Sequence, residues 1–229
     1  MPTFPRKPRG FTLIELMVVV AVIGIIAALA SFSMSRSRPR ASLSGSSVEL
    51  RALLHQARQQ ALVSGADVAV LVFPGVSGTT DSLGRIVVYQ DGAFDFFNPA
   101  SAVHFGGYNP MVLAAGARGE VITTFDLPRD VTFGPATGLG TSAALPEPFS
   151  TIPVTAECTF CAGIGAARRG AVVFDPRGRA RFYGADGAPL AVDGGSISLT
   201  APALQGAVPL VRLVAITATT GSLQSVNLD

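Results

Sequence analysis

One stretch of this sequence decides most of what the chain can become. Residues 11 to 32, FTLIELMVVVAVIGIIAALASF, form a 22-residue apolar run that holds a single charge, Glu15. As a helix rising about 1.5 Å per residue the run reaches roughly 33 Å, the depth of a bilayer's hydrocarbon core. A carboxylate inside such a run costs roughly 2.5–3.5 kcal/mol on insertion scales. A chain that keeps one only four residues into the run must have a use for it.

The flanks narrow the reading. Before the run stands MPTFPRKPRG, with Arg6, Lys7 and Arg9 and no acid. Positive charge on that flank predicts a cytoplasmic N-terminus, with the roughly 200 residues after the run on the far side. An ordinary secretory signal also has a basic start, and Ala28-Leu29-Ala30 before Ser31 fits an A-x-A cleavage site. Yet the apolar stretch is longer than the usual 7–15 or so residues, and such stretches carry no acid. A plain membrane anchor accounts for the length and leaves Glu15 unexplained.

Gly10-Phe11-Thr12-Leu13-Ile14-Glu15-Leu16 resembles the class III signal of type IV pilins and type II secretion pseudopilins. The resemblance implies that a prepilin peptidase cuts between Gly10 and Phe11 on the cytoplasmic side and methylates the new N-terminus at Phe11. The basic leader is lost, and the apolar helix is kept as the core of a filament. Glu15 then has a role, because a buried carboxylate is tolerable once paired. In the family the glutamate is thought to meet the N-terminal amine of a neighbouring subunit and set the axial register.

Beyond residue 32, the sequence SMSRSRPRASLSG is expected to kink or interrupt the rod at Pro39 and Gly45. Ser46-Ser47-Val48-Glu49 fits a capping box, and Leu50, Leu53, Leu54, Ala57, Ala61 and Leu62 recur at three- and four-residue steps. A second, amphipathic helix over residues 46–64 is therefore predicted, its apolar face laid on a sheet. Strands follow at Val68–Phe73, Arg85–Tyr89, Glu120–Asp126, Asp130–Phe133, Gly170–Phe174, Ala180–Tyr183, Ser196–Thr200 and Leu210–Thr217. Residues 134–166, rich in Gly, Ala and Pro, read as an extended loop or insertion.

Three later segments add to the resemblance. LLHQARQQALVSGADVAVLV runs from a helix into a first strand, while GAVVFDPRGRARFYG and VRLVAITATTGSLQSVNLD each set a glycine turn between two strands. Together they resemble the minor pseudopilins of the GspH/FimT group. Residues 90–166 carry no such likeness.

Other motifs suggest less. Cys158-Thr159-Phe160-Cys161 is a C-x-x-C without the second ligand pair that a structural zinc site needs. In an oxidising compartment a local disulfide is the expected state, with two free thiols as the alternative. Arg168, Arg169, Arg177, Arg179 and Arg181 make the one basic cluster of the domain. Some minor pilins like these are implicated in DNA uptake through a G-R-x-R string, which Gly178-Arg179-Ala180-Arg181 matches; Arg177, Arg179 and Arg181 are thus candidate phosphate contacts. The alternative is a solvated hairpin, with Asp175 and Asp186 offsetting the charge. The C-terminal turn Gly221-Ser222-Leu223-Gln224, where that motif is expected, has no arginine, and the chain's formal charge of +2 falls to −1 without its leader. His55 and His104 have no nucleophile or carboxylate at a recognisable spacing, so no catalytic residue, metal site or cofactor is expected.

The expectation is an α+β protein: a leader over 1–10, a transmembrane and filament-core helix over 11–32, a connector and amphipathic helix over 33–66, and an antiparallel β-rich periplasmic domain over 67–229. As a minor pilin or pseudopilin it would help initiate or cap a type IV pilus or a type II secretion pseudopilus, with a DNA-binding competence pilin as the alternative. Its partners would be other pilins, the prepilin peptidase and the inner-membrane assembly platform. It would cross the inner membrane once and stand at the filament tip after assembly.

Overall fold

The computed structural model describes residues 12–76, 84–91, 95–101, 104–111, 119–134, 145–152, 154, 157–201 and 210–227, with the backbone alone at 30–37 and at 166. The chain divides into two compact units, residues 1–38 and 39–229.

The first unit contributes the start of α1, which runs from Leu13 to Ser64 with Pro39 inside it. This corrects the expected interruption at Pro39 and Gly45 and the separate helix beginning at Ser46. Proline removes one hydrogen bond and crowds the preceding turn, but packing on its C-terminal side outweighs that cost. Within the second unit the buried face of α1 already begins at Leu43 and continues through Leu50, Leu53, Leu54, Ala57 and Ala61. Ser46 and Ser47 are buried mid-helix instead of capping, and Ser47 Oγ donates to the Ser44 carbonyl at 2.8 Å. That back-bond is how a serine satisfies its hydroxyl inside a helix.

Two antiparallel sheets make up the rest of the second unit. The six-stranded sheet has the order β3-β2-β1-β5-β6-β7, built from β1 (Asp67–Phe73), β2 (Arg85–Asp91), β3 (Glu120–Asp126), β5 (Gly170–Phe174), β6 (Ala180–Tyr183) and β7 (Pro189–Leu190). The four-stranded sheet has the order β10-β9-β8-β4, from β4 (Thr132–Phe133), β8 (Gly194–Ala201), β9 (Leu210–Thr217) and β10 (Leu223–Asn227). The predicted strands are present, β4 being two residues shorter, and the two-residue edge strand β7 is additional.

Strand alternation sorts the core. Val68, Val70 and Val72 of β1, with Ile86 and Val88 of β2, join the apolar face of α1 and Ile197, Leu199, Val214 and Ile216 of the other sheet in one cluster. The opposite faces are covered too. Phe96, Phe97, Phe105 and Tyr108 pack on Ala69, Leu71, Phe73, Val87 and Tyr89, while Leu145, Phe149, Ile152 and Val154 pack on Leu213 and Ala215. The central strands are therefore apolar on both faces, which is why VAVLVF and RIVVY read as unbroken hydrophobic runs. Within the 134–166 segment, Leu145, Phe149, Ile152 and Val154 are thus a cover for the smaller sheet, while Cys158 and Phe160 join the central cluster.

The two glycine turns noted in the sequence meet. Gly178 (φ +78°) turns β5 into β6 and Gly221 (φ +59°) turns β9 into β10. A side chain on Gly221 would strike the Gly178 carbonyl, which also accepts the Arg58 Nε–H of α1 at 3.2 Å. Helix and both sheets are pinned at that point.

Candidate assembly site at the head of the N-terminal helix

The local sequence Thr12-Leu13-Ile14-Glu15 has the spacing of a capping box, and the structure forms one. The Thr12 carbonyl accepts the Leu16 N–H at 3.2 Å, so Thr12 occupies the N-cap position. Its Oγ1 accepts the Glu15 N–H at 3.3 Å, and Glu15 Oε2 in turn accepts the Thr12 N–H at 3.5 Å. The carboxylate thus lies against the positive end of the helix dipole, where an anion is stabilised by about 0.3–1 kcal/mol. Thr12 escaped notice as a functional residue in the sequence, although its three-residue spacing to Glu15 is itself the signal.

Behind this box, large apolar side chains point outward in every direction. From Leu13 to Leu29 they are between 48% and 76% exposed, including Leu13, Met17, Val20, Ile23 and Ile26. A helix that is apolar all round needs an apolar surround, supplied either by lipid or by other helices. Among the described residues no helix is long and apolar enough to cross a membrane. The side chains described from Leu13 to Leu29 cover about 26 Å of rise, just short of a hydrocarbon core. Gly10 and Phe11, the expected processing site, lie outside the described residues.

The other candidates occupy the second unit. Arg179 pairs with Asp175 (2.8 Å) and Arg181 with Asp67 (2.9 Å), while Arg177 is exposed and uses its N–H on Asp175 Oδ1 at 2.9 Å. Burial pushes the Asp175 carboxyl up, but the bonds from the Arg179 N–H, the Arg179 guanidinium and the Arg177 N–H outweigh it and hold the group below its ordinary range. The structure thus uses this hairpin's arginines largely on its own acids. Arg169 reaches the Phe105 and Tyr108 carbonyls at 2.9 and 2.8 Å and stacks over the Phe73 and Phe105 rings, and burial lowers its pKa. It anchors the aromatic cover, a role that its place in a basic cluster concealed.

Cys158 and Cys161 are joined as a disulfide, Cα atoms 5.2 Å apart. The segment pairs with the edge of β8, where the Thr159 N–H donates to the Ser196 carbonyl at 3.0 Å. His55 lies on α1, its pKa lowered by burial and by Arg51 and Arg58, and His104 Nδ1 is 3.1 Å from the Ser101 carbonyl. Among the described residues no group of His, Cys, Asp and Glu is placed to hold a metal ion.

Comparison with known proteins returns to the same end of the chain. Residues 5–31 match the family described as the prokaryotic N-terminal methylation motif. Over 50 residues the chain is 48% identical to the type IV major pilin protein PilA of Myxococcus xanthus (strain DK1622), a match covering 22% of this chain and 23% of that protein. The similarity thus spans about a quarter of the curated relative's length. No solved structure matches the chain. Over its N-terminal segment, therefore, the chain is similar to type IV pilins and carries the prokaryotic N-terminal methylation motif.

Proposed function

We propose that this protein is a minor pilin or pseudopilin that helps initiate or cap a type IV pilus or a type II secretion pseudopilus. The observation that carries the reading is Glu15 in a capping box at the head of a helix whose apolar side chains are exposed all round. Such a helix is stable when surrounded by lipid before assembly and by like helices afterwards, and one carboxylate at a fixed depth gives the second state its register. The minor assignment is supported by the sequence likeness of the helix-to-strand segment and the two glycine turns to the GspH/FimT group.

In this reading the prepilin peptidase cuts between Gly10 and Phe11 and methylates Phe11, and residues 11–32 hold the chain in the inner membrane with the β-rich unit in the periplasm. Orientation rests on the motif rather than on charge balance. Arg36, Arg38 and Arg40 follow the run closely, so the three cations of the leader are matched by three beyond it. Other pilins, the peptidase and the inner-membrane assembly platform are the partners.

Glu15→Ala tests the reading. Removing the charge lowers the cost of insertion, so the variant should reach the membrane and be processed at wild-type level, yet be depleted from sheared filaments. Recovery in filaments at wild-type stoichiometry would refute the role of Glu15.

A further inference from the structure

Between Cys161 and Gly170 the chain makes a hairpin fixed by several independent ties. Ala162 and Arg169 exchange both backbone hydrogen bonds, at 3.0 and 2.9 Å. The Ala167 N–H donates to the Ile164 carbonyl at 3.2 Å, the Arg168 N–H donates to the Gly165 carbonyl at 3.1 Å, and the disulfide ties Cys161, where the hairpin starts, back to Cys158. Arg168 Nε lies 2.8 Å from Glu157 Oε2, an ionic contact whose angles are not those of a hydrogen bond. At the tip, Gly163 (φ +97°) and Gly165 (φ +56°) flank Ile164. That side chain is 91% exposed, more than any other large apolar side chain among the described residues. A branched apolar group on a rigid tip is already ordered for contact, with little conformational entropy left to lose.

The same unit carries a matching hollow. A cavity of about 290 Å³ is lined by residues that include Thr151, Phe160, Leu190, Val192 and Asp193. Leu190 and Val192 are 37% and 44% exposed there, and Asp193 is exposed beside them. We propose that knob and hollow meet between two copies of this chain: Ile164 of one subunit enters the Leu190–Val192 hollow of another, and Arg168 of the first faces Asp193 of the second. The complementarity is double, apolar on apolar and cation on carboxylate. Both halves occur on one chain, so a second copy meets the requirement without any other protein. Arg168 keeps a third of its side chain exposed beside Glu157, and a guanidinium has donors to spare for a second carboxylate.

One side chain and one ion pair make a contact well below the area of a stable interface. The contact therefore forms where copies are already crowded, and it adds side-to-side specificity. It concerns residues of the second unit and stands apart from the filament reading.

The test uses the full-length protein in densely loaded proteoliposomes, with a photoreactive benzoylphenylalanine in place of Ile164. Irradiation should give a two-chain product, near twice the 23.5 kDa of one chain, with position 164 mapped by mass spectrometry to residues 190–193. Asp193→Arg should cut the yield several-fold while circular dichroism stays unchanged, since that side chain is exposed. Crosslinks confined to lipid or to other positions of the chain, or a yield indifferent to Asp193→Arg, would overturn the contact. A Glu15→Ala chain run in parallel should crosslink as well as wild type, so failure of the contact and failure of the filament reading are told apart.

Discussion

At the scale of single residues, the acids of this protein do the organising. Asp175 is 5% exposed and accepts bonds from the N–H groups of Arg177 and Arg179 and from the Arg179 side chain. Asp175→Ala would strand those donors, and losses of that kind cost about 1–3 kcal/mol. A pH dependence follows with a definite sign. The folded carboxyl titrates below the ordinary 3.8, so its contribution is fully present above about pH 4 and is lost as the pH falls through the lowered folded value. Urea midpoints at pH 7 and pH 3 check this: the gap between wild type and Asp175→Ala should be smaller at pH 3 than at pH 7. Glu15 stands out in the sequence because a lone charge in an apolar run is conspicuous. Asp175 was not readable, since an acid beside arginines in a hairpin resembles a solvated turn until its burial is known.

At the scale of elements, local rules and tertiary packing disagree most sharply along α1. Pro39, Gly45 and the Ser46–Glu49 box all argue locally for a break, and Leu43 is the one apolar side chain buried between Pro39 and Leu50, with Ser46 and Ser47 buried beside it. The helix continues because one buried turn at Leu43 anchors what the proline weakens. The strands were easier to locate, because β1, β2, β5 and β9 are long enough and apolar enough to stand out against turn residues. The covers over the sheets were hidden: Phe96, Phe97, Phe105 and Tyr108 lie in irregular segments whose only clue is aromatic content. Gly45 gives the element-scale prediction. It is exposed within α1, and a methyl group there would meet no atom within 4 Å. Gly45→Ala should therefore stabilise the protein by about 0.5–1 kcal/mol, through the entropy glycine loses in a helix. Thermal unfolding of the full chain would show a higher midpoint, and a lower one would mean that this stretch is not helical before assembly.

At the scale of the whole molecule, charge and composition decide between the remaining functions. Without its leader the chain carries one more acid than base, and Arg179 and Arg181 face Asp175 and Asp67. Duplex DNA binding at low salt should therefore be absent in the micromolar range by fluorescence anisotropy. Binding that weakened with salt at a slope of about −0.9 per phosphate, and flattened by roughly two in Arg179→Ala/Arg181→Ala, would make DNA capture the function instead. Composition also gives a direct view of processing. Lys7 is the chain's single lysine and lies in the leader, so cleavage between Gly10 and Phe11 removes every side-chain amine. The mature protein should then take an amine-reactive label only at its N-terminus, whereas the uncut protein also takes one at Lys7. Intact mass of the membrane-extracted protein should equal residues 11–229 plus one methyl group, after allowance for the disulfide, and the label should map to Phe11. A mature chain beginning at Ser31 is also free of lysine, so the label count alone does not separate the two cuts; the mass does. Only the Phe11 product keeps the apolar helix that a filament core requires, and a chain beginning at Ser31 would make this a secreted protein in which neither Glu15 nor its capping box survives.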